Sequence, residues 1–198
     1  QGCLSGDEPA VTRPAFDPMT FPLEADLSRA DVRLLHKLCA GKAVVEFGCG
    51  GSTVLLGNFA SRVVSYDTDP SWISRTATRL SREPGHTCAE LRQCQEGVVP
   101  DGLPPADVYF IDGWCPDRPK WVREVVLQGL TTLLVYHDSR SGEMTTLASA
   151  LVYPVTLCLR SVEYHVEDSN MAVLRCGEGV KYVNWNEAEP ENRLPFLS

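Results

Sequence analysis

The sequence lacks two features that would each have pointed to a class of protein. No run of about 18 uninterrupted apolar residues is present, so neither a membrane-spanning helix nor a signal peptide is expected. The 26 acidic residues outnumber the 18 basic ones, the net charge is −8, and no long Lys/Arg run occurs. Such a chain repels a phosphate backbone, so nucleic acid is not an expected partner. The composition that is present, 43% hydrophobic and 22% charged over 198 residues, is that of one globular domain.

Paired metal-binding cysteines are also absent. The eight cysteines form no C-x-x-C pair and have no nearby pair of histidines, so a zinc site is not expected. Most of them lie within apolar patterns, where free cysteine behaves as a small buried hydrophobic residue. We therefore expect reduced thiols and a cytoplasmic location, rather than disulfides formed in an oxidising compartment.

The most informative stretch is a strand, a tight turn and a helix start in direct succession. The apolar run 43–47, which contains Glu46, breaks into Gly48-Cys49-Gly50-Gly51 and then resumes as a helix. Glycines allow positive φ and close approach of a ligand to the main chain, and the helix start offers unpaired N–H groups. A second apolar run ends at Asp67, where a carboxylate can accept hydrogen bonds from both hydroxyls of a ribose. The pattern predicts a nucleotide-like ligand between two strand ends.

From residue 28 to residue 183, apolar strands alternate with helical segments. Ser28 is the predicted N-cap of the first helix, and Asp69 that of a later one. The strands are continuously apolar, which indicates burial on both faces and a mostly parallel sheet. Near the C-terminus the runs 156–166 and 171–176 flank a polar turn and predict an antiparallel hairpin. We therefore expect an α/β, Rossmann-like fold whose seven-stranded, mostly parallel sheet carries helices on both faces and ends in this hairpin.

The two ends of the chain are predicted to lie outside that domain. Residues 1–27 contain several prolines and little periodicity, which is typical of an extended N-terminal arm. Residues 184–198 form an acidic C-terminal tail in which Trp185 and the segment 194–197 are candidate docking points. The domain itself is predicted to span residues 28–183.

Taken together, these residues resemble the class I S-adenosylmethionine-dependent methyltransferases. The first motif of that family is an acidic residue followed by alternating glycines, as in Glu46-Phe47-Gly48-Cys49-Gly50. The resemblance extends over roughly residues 28–177 and includes Asp67, the strand that ends at Asp112, and the terminal hairpin. The chain departs from the common pattern at the third glycine, where Ser52 stands with Gly51 inserted before it. A Gly-Gly-Ser-Thr turn of this kind is similar to that of less characterised bacterial members.

The resemblance implies S-adenosylmethionine as the cofactor and assigns residues to its parts. The amino-acid part would be lined by the turn residues Glu46, Gly48, Gly50, Gly51 and Ser52. Asp67 would bind the ribose, and Thr68 or Trp72 would border the adenine.

Candidate catalytic groups follow the fourth and fifth strands, namely Asp112 and the run His137-Asp138-Ser139. Methyl transfer from a sulfonium needs positioning of the acceptor and, for a hydroxyl acceptor, removal of a proton. In one interpretation His137 is the general base, oriented by a carboxylate. In a second, Asp112 and Asp138 bind Mg²⁺, which lowers the pKa of the acceptor hydroxyl. In a third, His137 and Asp138 only cap a strand and a helix.

The segment from Phe110 to Arg118 resembles the corresponding part of catechol-type O-methyltransferases, with Asp138 at the position of a second metal ligand. Ser139, however, stands where that group carries an asparagine ligand, and Cys115 where it carries a lysine base. We therefore assign no metal ligands, and Mg²⁺ stays an alternative.

The predicted function is S-adenosylmethionine-dependent methyl transfer to a small molecule or a protein side chain, with O-methylation preferred. The sequence predicts no nucleic-acid or membrane partner and does not determine the oligomeric state. Two alternatives stay open: an aminopropyltransferase of the polyamine synthase type, which shares the fold, and a domain that binds cofactor or partner without turnover.

Overall fold

The computed structural model describes residues 16–22, 27–82, 88–139, 147–164, 169–177 and 182–184, and of residues 182–184 it describes the backbone alone. Within these residues one mixed sheet has the strand order β3-β2-β1-β4-β5-β7-β6-β8. The strands are β1 Ala43–Phe47, β2 Arg62–Asp67, β3 Ala89–Gln93, β4 Val108–Ile111, β5 Leu133–His137, β6 Leu159–Tyr164, β7 Met171–Cys176 and β8 Tyr182–Asn184.

Strands β1 to β5 pair in parallel, and β7 pairs antiparallel with both β5 and β6. The seven predicted strands are therefore present, and the predicted hairpin is confirmed. The structure adds β8, which pairs in parallel with β6 at the edge of the sheet.

The helices are α1 Arg29–Cys39, α2 Gly51–Gly57, α3 Pro70–Leu80 and α4 Arg118–Leu127, and residues 147–150 are also helical. Short 3₁₀ helices cover Cys115–Asp117 and Val155–Cys158. Both predicted caps are confirmed. The hydroxyl of Ser28 accepts a hydrogen bond from the Asp31 N–H at 3.1 Å, and the carboxylate of Asp69 accepts one from the Ser71 N–H at 2.7 Å.

Alternate residues of the central strands point to opposite faces of the sheet, and each face is covered by helices. On one face Phe47 stacks on Trp121 of α4, with ring centres 4.5 Å apart, so Trp121 is a core residue. On the other face the apolar stripe of α1 and the buried residues of α2 pack against Val44, Val63 and Val135. Helices on both faces of the sheet are thus confirmed.

The predicted elements at the margins of the fold differ in detail or stay untested. Strand β6 begins at Leu159 rather than near residue 156, because residues 155–158 form a 3₁₀ helix. Residues 1–15 of the arm and 185–198 of the tail lie outside the described residues, so the domain boundaries stay a prediction. In the part of the arm that is described, the Arg29 guanidinium donates to the carbonyls of Pro18 and Phe21, each at 2.7 Å.

Two predicted absences concern the thiols and the membrane. The seven cysteines within the described residues are free thiols, and Cys3 lies outside those residues. Among the described residues, the helices are too short or too polar to cross a bilayer.

Candidate functional site

The glycine turn that follows β1 lies directly against the end of β4. Gly48 has φ +100°, and its N–H donates to the Tyr66 carbonyl at 2.7 Å. A Cβ on Gly48 would lie 2.5 Å from the backbone nitrogen of Gly113, so only glycine fits there. At Gly50 the backbone is extended, and a Cβ would meet no atom within 4 Å. The turn is therefore tightly packed at Gly48 and opens onto free space at Gly50.

Glu46 lies beneath this turn, with its side chain fully buried. The hydroxyl of Thr53 donates to Oε2 of Glu46 at 2.5 Å and accepts the Gly50 N–H at 2.9 Å. Burial raises the pKa of the Glu46 carboxyl to about 7, although the hydroxyls of Ser52, Ser65 and Thr53 act in the opposite direction. The other oxygen, Oε1, is buried and makes no hydrogen bond within the described residues. The carboxyl thus supports the turn through one of its two oxygens.

Asp67 is brought to the same turn from the end of β2. One carboxylate oxygen accepts the Cys49 N–H at 2.8 Å, and the other accepts the Asp69 N–H at 2.8 Å. Thr68 follows it and is half-buried, and Trp72 in the first turn of α3 is 48% exposed. The predicted cofactor-binding residues of β1, β2 and α3 therefore lie together at the carboxyl ends of the parallel strands.

The three predicted catalytic residues form one cluster at the ends of β4 and β5. Nδ1 of His137 lies 2.8 Å from Oδ1 of Asp112 and 3.5 Å from Oδ1 of Asp138. His137 is only 2% exposed, and its Nε2 is buried without a hydrogen-bond partner among the described residues. Burial alone would lower the pKa of His137, but the hydrogen bond and negative charge of Asp112, helped by Asp138 and Asp31, raise it overall. The imidazole therefore favours its charged form more than a free histidine does.

Arg118 is the main member of this cluster that sequence reasoning missed. Its Nη1 and Nη2 both lie 3.2 Å from Oδ2 of Asp138, and Nη2 is 3.6 Å from Oδ1 of Asp112. Its Nε donates to the Gly113 carbonyl at 2.7 Å, and the residue is 6% exposed. Arg118 is the first residue of α4, a position where the helix dipole disfavours a cation. A cation at a predicted helix start is the sequence signal that could have indicated a nearby acidic partner.

Asn170 is a second residue of the site that sequence reasoning missed. Its side-chain amide donates to Oδ1 of Asp138 at 2.8 Å. Its backbone N–H donates to Asp31 at 2.9 Å, and the Ser169 hydroxyl donates to the same oxygen at 2.5 Å. Asp138 itself has φ 55°, in the left-handed region. The interpretation of Asp138 as a simple cap omits these contacts with Arg118 and Asn170.

No protein-family model and no curated protein matches the sequence. Solved structures do match. A methyltransferase from Podospora anserina, PaMTH1 with bound S-adenosylhomocysteine, superposes with a TM-score of 0.61 over 76% of this chain and 77% of its own, at 12% identity. The O-methyltransferase TomG from Streptomyces achromogenes, in complex with SAM, gives 0.53 over 74% and 78%, at 16% identity. The chain has the class I methyltransferase fold.

An rRNA methylase from Streptococcus thermophilus also matches, with a TM-score of 0.52 over 76% of this chain and 95% of its own, at 13% identity. Proteins of this fold thus differ in acceptor. In the class I methyltransferase fold of this chain, the glycine turn, Asp67 and the Asp112 cluster lie at the carboxyl ends of the parallel strands. Open α/β sheets bind their ligands at that edge.

Proposed function

We propose that the protein binds S-adenosylmethionine at the turn between β1 and α2 and methylates a small-molecule acceptor beside Asp112. The observation that carries the proposal is the free space at Gly50, bordered by the start of α2 and by Asp67. A helix start and a ribose-accepting carboxylate are the two groups that such a cofactor needs.

When bound, the cofactor supplies a methyl group on a sulfonium, and the residues of this chain have to place the acceptor and take its proton. Oδ1 of Asp112 lies 2.8 Å from Nδ1 of His137 and 3.6 Å from Nη2 of Arg118. The Asp112 side chain is 22% exposed and that of His137 is 2% exposed. We therefore propose that Asp112 accepts the proton of the acceptor hydroxyl and that His137 orients Asp112, which reverses the roles first predicted for the pair.

The charge of the molecule supports a small acceptor rather than a nucleic acid. With 26 acidic against 18 basic residues, the chain offers little attraction for a phosphate backbone. Trp114, two residues beyond Asp112 in the chain, is 56% exposed and is the aromatic side chain that we propose for contact with such an acceptor.

Calorimetric titration with S-adenosylmethionine and S-adenosylhomocysteine tests the cofactor site. We expect micromolar binding by the wild type and a loss of about tenfold or more in Gly50→Ala, because the added methyl occupies the proposed ligand space. Gly41→Ala is the matched control: Gly41 has φ +71° and open space around it, so this change lowers stability by about 1 kcal/mol and leaves affinity unchanged.

Unchanged affinity in a folded Gly50→Ala protein would move the ligand to another part of the molecule. Absence of binding to either compound would refute the cofactor assignment. Binding without methyl transfer to any acceptor in a broad screen would instead favour the non-catalytic alternative.

A further inference from the structure

We infer that Arg118 is the resident cation of the Asp112–His137–Asp138 cluster, in the place that a divalent metal ion would otherwise take. The three side chains offer one oxygen or nitrogen ligand atom each, all within 4.8 Å of one another. Carboxylate and imidazole donors at that spacing are a set that divalent ions such as Mn²⁺ bind. The role of Arg118 in this cluster follows from its contacts alone, whereas its effect on methyl transfer rests on the proposed function.

The guanidinium of Arg118 lies between the two carboxylates. Both Nη atoms are 3.2 Å from Oδ2 of Asp138, and Nη2 is 3.6 Å from Oδ1 of Asp112. The planar fork of arginine suits this arrangement because it can donate to two acidic groups while keeping a fixed orientation.

Further hydrogen bonds to main-chain carbonyls keep the guanidinium in this position. Nε donates to the Gly113 carbonyl at 2.7 Å, Nη1 to the His137 carbonyl at 3.2 Å, and Nη2 to the Asp112 carbonyl at 3.3 Å. The Arg118 side chain is 8% exposed, and its guanidinium lies 5.8 Å from the ring centre of Tyr136. Because carbonyls from both strand ends accept these bonds, the side chain cannot leave the cluster without breaking several of them.

A divalent ion would have to contact oxygens of the same two carboxylates at about 2.0–2.6 Å. The guanidinium already neutralises part of their charge and would repel a second cation at that distance. The structure therefore favours a site in which a fixed arginine, rather than an exchangeable metal ion, orients Asp112 and Asp138. In the proposed reaction Arg118 is a positioning residue, and transfer proceeds without an added metal.

Mn²⁺ is the probe for this inference, used with the full chain and without any cofactor. We expect wild-type protein and Arg118→Lys to show no binding of Mn²⁺ in the micromolar range by electron paramagnetic resonance. Arg118→Met, which removes the charge and keeps an unbranched side chain, should gain Mn²⁺ binding and a Tm that rises with Mn²⁺ concentration. The double change Arg118→Met with Asp138→Asn should lose both effects.

Micromolar Mn²⁺ binding by the wild type that is abolished in Asp138→Asn would overturn the inference, as would a folded Arg118→Met that gains no Mn²⁺ site. If Arg118→Met does not fold, the wild-type titration alone decides between these outcomes. Since the metal measurements need no S-adenosylmethionine, they succeed or fail independently of the proposed function. The positioning role predicts in addition that Arg118→Lys lowers kcat and leaves the cofactor affinity unchanged.

Discussion

At the scale of single residues, Glu46 shows how burial changes the chemistry of a motif. Its carboxyl is fully buried, and desolvation raises its pKa to about 7 from an ordinary value of 4.5. Thr53 links it to the turn by accepting the Gly50 N–H and donating to the carboxyl. The acidic residue that marks the motif in the sequence is therefore a buried support of the glycine turn.

The raised pKa of Glu46 predicts a pH-dependent loss of stability. The folded state binds a proton that the unfolded state releases, so stability falls as the pH rises from about 4.5 to about 7 and stays lower above that range. In Glu46→Gln this pH-dependent change in the free energy of unfolding, roughly 3 kcal/mol, should disappear. Denaturation at pH 5 and pH 8 should show a smaller pH difference in the variant than in the wild type. Glu90→Gln, at an exposed position, is the control, and equal pH differences in wild type and Glu46→Gln would contradict the assignment.

At the scale of secondary-structure elements, the start of α1 is tied to the loop that precedes β7. Asp31 completes a capping box with Ser28, whose N–H donates to Oδ2 of Asp31 at 2.7 Å. Oδ1 of the same carboxylate accepts from the Ser169 hydroxyl and the Asn170 N–H. The side-chain amide of Asn170 in turn donates to Asp138, so hydrogen bonds connect the N-cap of α1 to the candidate site.

Removing this carboxylate should cost more than removing the cap alone. Ser28→Ala loses the cap and should lower the free energy of unfolding by about 1 kcal/mol. Asp31→Ala also leaves the Ser169 hydroxyl and the Asn170 N–H without their acceptor in a buried place, so we expect a loss of about 3 kcal/mol. Urea denaturation of the two variants measures the difference. Equal losses would mean that Asp31 acts only as part of the cap.

At the scale of the whole molecule, β2, β1, β4 and β5 are neighbouring parallel strands, so their carboxyl ends lie on the same side of the sheet. This arrangement brings the glycine turn, Asp67 and the Asp112 cluster together. The face of the sheet that carries Trp121 and the face that carries α1 and α2 are filled by separate apolar clusters. The polar groups are thereby concentrated where the strands end, at the proposed site for cofactor and acceptor.

The net charge of −8 gives a prediction about that acceptor. Association with RNA strengthens as salt falls only when basic groups neutralise phosphates. Fluorescence anisotropy with a labelled RNA duplex should therefore show no binding at low salt, whether or not S-adenosylhomocysteine is present. Binding that weakens steeply as salt is added would contradict a small-molecule acceptor and favour a nucleic acid.

The sequence by itself determined the alternation of strands and helices, both predicted helix caps, and the glycine turn with Glu46 and Asp67. These follow from local rules: apolar runs, capping residues and glycine spacing act over a few residues. Only the tertiary structure decided that Arg118 lies between Asp112 and Asp138 and that Asn170 reaches Asp138, because these contacts join residues 6, 20 and 32 positions apart. Their partners are set by strand order and by the packing of α1 and α4, which no local pattern encodes.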